Sequence, residues 1–192
     1  MPCSALASSV GFVTPSRPLD VAEKQFDPAR LLGTLQRHGV RFIVIGAIAA
    51  IAQGYPLPTE DLDVVPDNAR DNLERLATAL TELVAELRIP GGSYPIELDA
   101  DFLSRADSWT LATQAGPLDL LFRPSGTQGF HDLRRDAFEV ELGTGHPVVV
   151  ASLRDVIRSK EASARPKDLA QLPALRQTLE VIRGRQTRGE PT

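Results

Sequence analysis

The stretch "RFIVIGAIAAIAQGYPLPTEDLDVV", residues 41–65, constrains the fold more than any other part of the chain. It opens on a short, apolar, β-branched run that reads as a buried strand, closed by Gly46. "AIAAIAQG" follows as a small-residue helix ended by Gly54, and the Pro56 and Pro58 pair forces an irregular connection. "DLDVV" is then a second strand, and it carries two like charges. At positions i and i+2 of a strand, Asp61 and Asp63 leave the same face about 7 Å apart. Carboxylates so placed repel and lose hydration unless a cation neutralises them or a pKa rises. Hard divalent cations such as Mg²⁺ prefer such oxygens and keep open positions for phosphate. The plainer alternative is an aspartate pair at the exposed start of a strand.

Around this segment the pattern alternates between helical and strand periods. Asp27 before Pro28 signals a helix start, and Gly39 stops the helix. Residues 69–87 read as one long amphipathic helix, with Leu73, Leu76, Leu80, Leu83 and Leu87 at three- and four-residue steps. From Arg88 to Asp101 the Pro and Gly content predicts a loop with one short strand at "PIEL". "SWTLAT" and "PLDLLF" form a strand pair through Gly116, and "AFEVEL" and "PVVVA" another through "GTGH". Ser152, with Asp155 three positions on, caps a helix, and residues 168–184 make the last one. The fold class is α+β, a mixed sheet with helices, without the strict βαβ alternation of a doubly wound protein.

Composition narrows the setting. With 192 residues, 42% hydrophobic and 24% charged, the chain suits one globular domain of ordinary size. A lone Cys3 forms no internal disulfide, and residues 1–20 resemble neither a signal peptide nor a membrane span, so a cytoplasmic protein without membrane association is expected. We divide the chain into a flexible N-terminal tail (1–24), a core (25–150) and a C-terminal helical part packed on it (151–192). Residues 1–120 carry a formal charge of −7 and residues 121–192 one of +3. Arg123, Arg134, Arg135, Arg154, Arg158 and Arg165 in the second half could face an anionic ligand or a merely solvated surface. His38, His131 and His146 lack metal-ligand spacing and are expected at the surface or at caps. Trp109 is expected in the core.

Three further residues bear on the aspartate pair. Gly46 leaves room for a phosphate to approach the backbone at a helix start. Asp119, inside "PLDLLF", is a carboxylate among apolar neighbours on an expected central strand, where an unpaired charge is expensive. Three aspartates from two strands could bracket two metal ions ~3.5–4 Å apart, one activating an attacking oxygen and the other stabilising a leaving one. Lys160 continues the apolar stripe Leu153, Val156, Ile157 and so points inward, either snorkelling at the end of the stripe or meeting a triphosphate. Among 21 basic residues only Lys24, Lys160 and Lys167 are lysines, which singles out places suited to a compact point charge.

Taken together, Gly46, Ala47, thirteen residues, Asp61, Leu62, Asp63 and the distant Asp119 resemble the signature of the nucleotidyltransferase superfamily. "SLRDVIRSKEASARPKDL", residues 152–169, is similar to the C-terminal block of AbiEii-type toxins and their mycobacterial MenT relatives. The resemblance covers residues 27–185. It implies a polymerase-beta-like core with C-terminal helices and transfer of a nucleoside monophosphate from a triphosphate, with Mg²⁺ or Mn²⁺ as cofactor. By the same resemblance Asp61, Asp63 and Asp119 hold metal, and Asp119 helps deprotonate the acceptor. Lys160, Gly46, Ala47, Thr59, Lys167 and Asp168 line the nucleotide pocket, with Lys167 and Asp168 completing it or orienting Lys160. Ala47 stands where the signature often has Ser, and no arginine lies near Leu57, where many relatives carry one. The implied role is a toxin with a cognate antitoxin as partner, acting on an RNA 3′ end such as that of tRNA. Two alternatives stand beside it. One is transfer to a protein or small-molecule hydroxyl, and the other is a catalytically silent antitoxin or binding module.

Overall fold

The computed structural model describes residues 25–188; the expected tail at 1–24, with Cys3 and Lys24, and residues 189–192 lie outside the described residues. Helix α1 (Pro28–Arg37) begins where Asp27 Oδ1 accepts from the backbone N–H of Arg30 at 2.9 Å. Strand β1 (Phe42–Ile45) is buried along its whole length, as its unbroken apolar run requires. Next come α2 (Gly46–Ile51), β2 (Leu62–Pro66) and α3 (Arg70–Glu82). The middle of the chain supplies β3 (Glu86–Ile89), β4 (Gly92–Tyr94), α4 (Ala100–Leu103), β5 (Ser108–Thr113) and β6 (Gly116–Leu121). It closes with α5 (Phe130–Leu133), β7 (Phe138–Glu141), β8 (Pro147–Val150), α6 (Leu153–Ser163) and α7 (Pro166–Arg188).

All eight strands join one mixed sheet in the order β4-β3-β5-β6-β2-β1-β8-β7. The β2–β6 and β1–β8 pairs are parallel and the others antiparallel. The core runs through the centre of this sheet, where Ile43, Val44, Leu62, Val64, Leu118 and Leu120 are all fully buried. Burying six such side chains contributes roughly 10 kcal/mol before chain entropy is set against it. No described helix is long and apolar enough to cross a membrane.

Three expectations are corrected. The helix drawn over 69–87 ends at Glu82, because Val84 turns into a left-handed backbone conformation (φ 50°) and Leu87 then pairs with Leu111 as part of β3. The leucine periodicity continued by coincidence across that break: Leu83 is still buried at the helix end, whereas Leu87 belongs to a strand. The short strand placed at "PIEL" is instead "GSY", paired to β3 in a hairpin. The last helix starts two residues early, at Pro166, whose fixed φ suits a first turn, and it runs on to Arg188. Trp109 is half-buried, its ring 4.3 Å from that of Phe102 and its Nε1 donating to the carbonyl of Leu103.

Candidate functional site

Strand register assembles the acidic residues. Asp63 on β2 stands opposite Asp119 on β6 across the parallel pair, and Asp119 stands opposite Thr110 on β5. On its other side Asp63 faces Ile45, the last residue of β1 before the chain turns at Gly46. Asp61 lies one residue before β2, and its carboxylate accepts from the Thr59 hydroxyl at 2.6 Å. Thr59, expected to touch nucleotide, therefore anchors the first aspartate.

Gly46 is explained by the same register. It has a left-handed backbone (φ 69°), and a Cβ there would fall 2.0 Å from Asp63 Oδ2. The space it leaves open is filled by the Asp63 carboxylate, and α2 behind it is only six residues long. The side chain that needs that space is that of Asp63.

Electrostatics separates Asp63 and Asp119 from ordinary surface acids. Burial, reinforced by the charges of Asp61 and Asp119 and eased by Lys160 and Lys167, pushes the Asp63 carboxyl up to about 7. Burial also raises Asp119, with Arg88 and a hydrogen bond from Thr110 pulling the other way and Asp61 adding to the rise. Arg88 on β3 makes a single contact with Asp119, Nη2 to Oδ1 at 3.3 Å. Sequence reasoning missed this arginine, since the leucine spacing up to Leu87 and the Pro and Gly content after Arg88 conceal β3.

The cationic side is built by α6 and α7. Lys160 is mostly buried, as its place on the apolar stripe predicts, and its Nζ donates to Asp168 at 3.1 Å. Asp168 also accepts from Ser163 Oγ at 2.8 Å and Arg165 Nε at 2.6 Å. Burial alone would raise its carboxyl, but the hydrogen bonds from Arg165, Ser163 and Lys160 outweigh it and hold the group down at about 2. Lys167 is exposed, yet its charge reaches both Asp63 and Asp119. Ile45, Gly46, Asp63, Val156, Lys160 and Asp168 share the walls of one small cleft of about 60 Å³. Ala47 is half-buried beside it at the start of α2.

A larger groove of about 810 Å³ lies elsewhere, between the end of α3 and residues 96–99, and holds none of these residues. Size alone would favour it, but catalysis needs converging charged groups, and those meet in the small cleft. Among the described residues no three His, Cys, Asp or Glu side chains already close around a point as a finished metal cage. Even so, the donor set suits a hard divalent cation: the nearby carboxylates raise the proton affinity of Asp63, and a cation would relieve the same excess of negative charge. The histidines are spread as expected, His38 at the end of α1 paired with Glu82, and His131 and His146 exposed.

Arg123, Arg135, Arg158 and Arg165 each have an acidic partner. Arg123 pairs with Asp107, Arg135 with Asp132, Arg158 with both Asp132 and Asp155, and Arg165 with Asp168. Arg158, 42% exposed, thereby ties α6 to α5 through Asp132.

No protein-family model matches this chain, and no curated protein matches it. Among solved structures it is similar to the lincosamide antibiotic adenylyltransferase LnuA in its lincomycin-bound crystal form. The TM-score is 0.54 at 10% sequence identity, and the match covers 80% of this chain and 99% of that one. The fold is thus a nucleotidyltransferase-like α+β architecture built on an eight-stranded mixed sheet.

Proposed function

We propose that this chain is a metal-dependent nucleotidyltransferase that moves a nucleoside monophosphate from a nucleoside triphosphate to an acceptor hydroxyl. The observation that carries the reading is Asp63 facing Asp119 across β2 and β6 while sharing a cleft with the inward Lys160. Asp61, Asp63 and Asp119 would hold Mg²⁺ or Mn²⁺, which when bound offsets their charge and polarises the phosphate. Lys160, kept in place by Asp168, and Lys167 bind the triphosphate; Gly46 and Ala47 border it. Thr59 fixes the rotamer of Asp61. Asp119, whose burial strengthens it as a base, takes the acceptor proton as the hydroxyl oxygen bonds to the α-phosphorus and the bond to pyrophosphate breaks.

Two acceptors follow from different observations. The motif in residues 152–169 supports an RNA 3′ end, such as that of tRNA, and a toxin neutralised by an antitoxin. Of the six arginines singled out in the second half, Arg158 and Arg165 are held by nearly buried aspartates, which lowers the positive charge open to a phosphate backbone and favours a small-molecule hydroxyl. Similarity in fold to an enzyme whose named substrate is an antibiotic supports the same acceptor.

The test is incubation of folded protein with Mg²⁺, each labelled triphosphate, and either total tRNA or a panel of hydroxyl-bearing antibiotics. Label on tRNA selects the first acceptor and label on an antibiotic the second. No transfer to either, together with no triphosphate binding, would leave a silent binding module.

A further inference from the structure

Asp119 already has a cation. Arg88 stands opposite Ser93 in the β3–β4 hairpin, and continuing the β3–β5 register brings it level with Thr110, the residue opposite Asp119. From there the guanidinium crosses β5 and reaches the carboxylate with one nitrogen at 3.3 Å. The contact is long and single-pronged, and the Arg88 side chain is 37% exposed against 20% for Asp119. Asp168, by contrast, receives three donors at 2.6–3.1 Å from a nearly closed pocket. A one-pronged pair open to water is weak and easily exchanged.

We propose that Arg88 is an internal counter-ion for Asp119, one that a divalent cation displaces on entering the acidic row. The inference rests on the nucleotidyltransferase reading and deepens it. Without nucleotide, the guanidinium occupies the carboxylate that the metal needs, so metal alone fills the site poorly. Loading the metal breaks the Arg88–Asp119 pair and frees a five-donor cation on the sheet face shared with the acidic row. The hairpin that carries Arg88 ends in Gly91 and Gly92, and its residues 92–94 are exposed, so nothing heavy moves when the arginine lets go.

The test is Mn²⁺ binding to nucleotide-free protein, followed by electron paramagnetic resonance, for the native chain and Arg88→Ala. Removing the competitor should tighten Mn²⁺ binding up to about five-fold, the worth of an exposed ion pair expressed as an affinity ratio. In parallel, the Nε resonance of Arg88, identified by its loss in Arg88→Ala, should move as Mg²⁺ saturates the native protein. Equal or weaker Mn²⁺ binding in Arg88→Ala, or an Nε signal that stays in place at saturating Mg²⁺, overturns the inference; damage to the fold would weaken binding and cannot imitate a gain. Native protein that binds no Mn²⁺ at all overturns the proposed function itself and this inference with it.

Discussion

Asp63 and Asp168 are both aspartates that line the same cleft, yet their carboxyls are displaced in opposite directions, to about 7 and about 2. Burial opposes the charged form of each. The difference is what the chain supplies against it: Lys160, Ser163 and Arg165 all donate to Asp168, whereas Asp63 meets two more carboxylates and feels two lysines only through space. A buried charge that the chain completes belongs with the scaffold, and a neighbouring one left incomplete is the candidate for a ligand. Asp168 is scaffold, holding α6 to α7 and aiming Lys160. In the proposed function the acidic row is the site.

The comparison breaks most visibly if Asp63→Asn keeps its activity. The substitution should lower transfer roughly 10²- to 10³-fold, the scale of losing one preorganised electrostatic partner of a reaction. Because the lost charge was uncompensated, thermal stability at pH 8 without metal should not fall. A labelled-triphosphate assay beside a melting curve reads both quantities; a stable, fully active variant would remove Asp63 from the site. Asp168→Asn should behave in the reverse way, losing about 3 kcal/mol of stability in denaturant titration because Lys160 and Arg165 then face an amide.

Much of this contrast was legible in the sequence. Asp61 and Asp63 stood out because a strand alternates faces, and Asp119 because a carboxylate in "PLDLLF" has no cheap place to go. Lys160 followed from the stripe of α6, and its mostly buried amine agrees. Arg88 was invisible for a physical reason: the left-handed turn at Val84 cut the leucine pattern short, and only strand pairing two elements away brings β3 to Asp119. The Arg123–Asp107 and Arg158–Asp132 pairs were equally hidden, since they join residues 16 and 26 positions apart, whereas the i,i+3 pairs of Arg135 and Arg165 follow from spacing. Gly46 was noticed, but its closeness to Asp63 was not, because the carboxylate that fills the space beside it comes from the neighbouring strand.

A pH titration sharpens the comparison through its sign. A carboxyl raised to about 7 keeps a proton in the folded state that the unfolded chain releases near pH 4. Its contribution to stability is complete below pH 4 and is lost as pH rises toward 7. Asp168, held at about 2, contributes above pH 4 and loses its contribution as pH falls toward 2. Difference curves against the native chain, measured by melting without metal, should therefore show Asp63→Asn removing a decline between pH 4 and 7. Asp168→Asn should remove one between pH 4 and 2. Difference curves with the same slope for both variants would mean that the two carboxyls share one environment.

The smallest effect compares two hydroxyls. Ser163 Oγ donates to Asp168 at 2.8 Å and Thr59 Oγ1 donates to Asp61 at 2.6 Å, so each region has one hydroxyl that can be deleted without touching a charge. Ser163→Ala leaves a buried carboxylate short of one donor and should cost about 1 kcal/mol. Thr59→Val should cost less than about 0.5 kcal/mol, since Asp61 is only partly buried and water can replace the hydroxyl. What Thr59→Val loses is the fixed direction of the carboxylate, so Mn²⁺ binding should weaken about tenfold while Ser163→Ala leaves it unchanged. If Thr59→Val instead melts early and binds Mn²⁺ normally, Asp61 belongs with Asp168 to the scaffold, and the acidic row shrinks to Asp63 and Asp119.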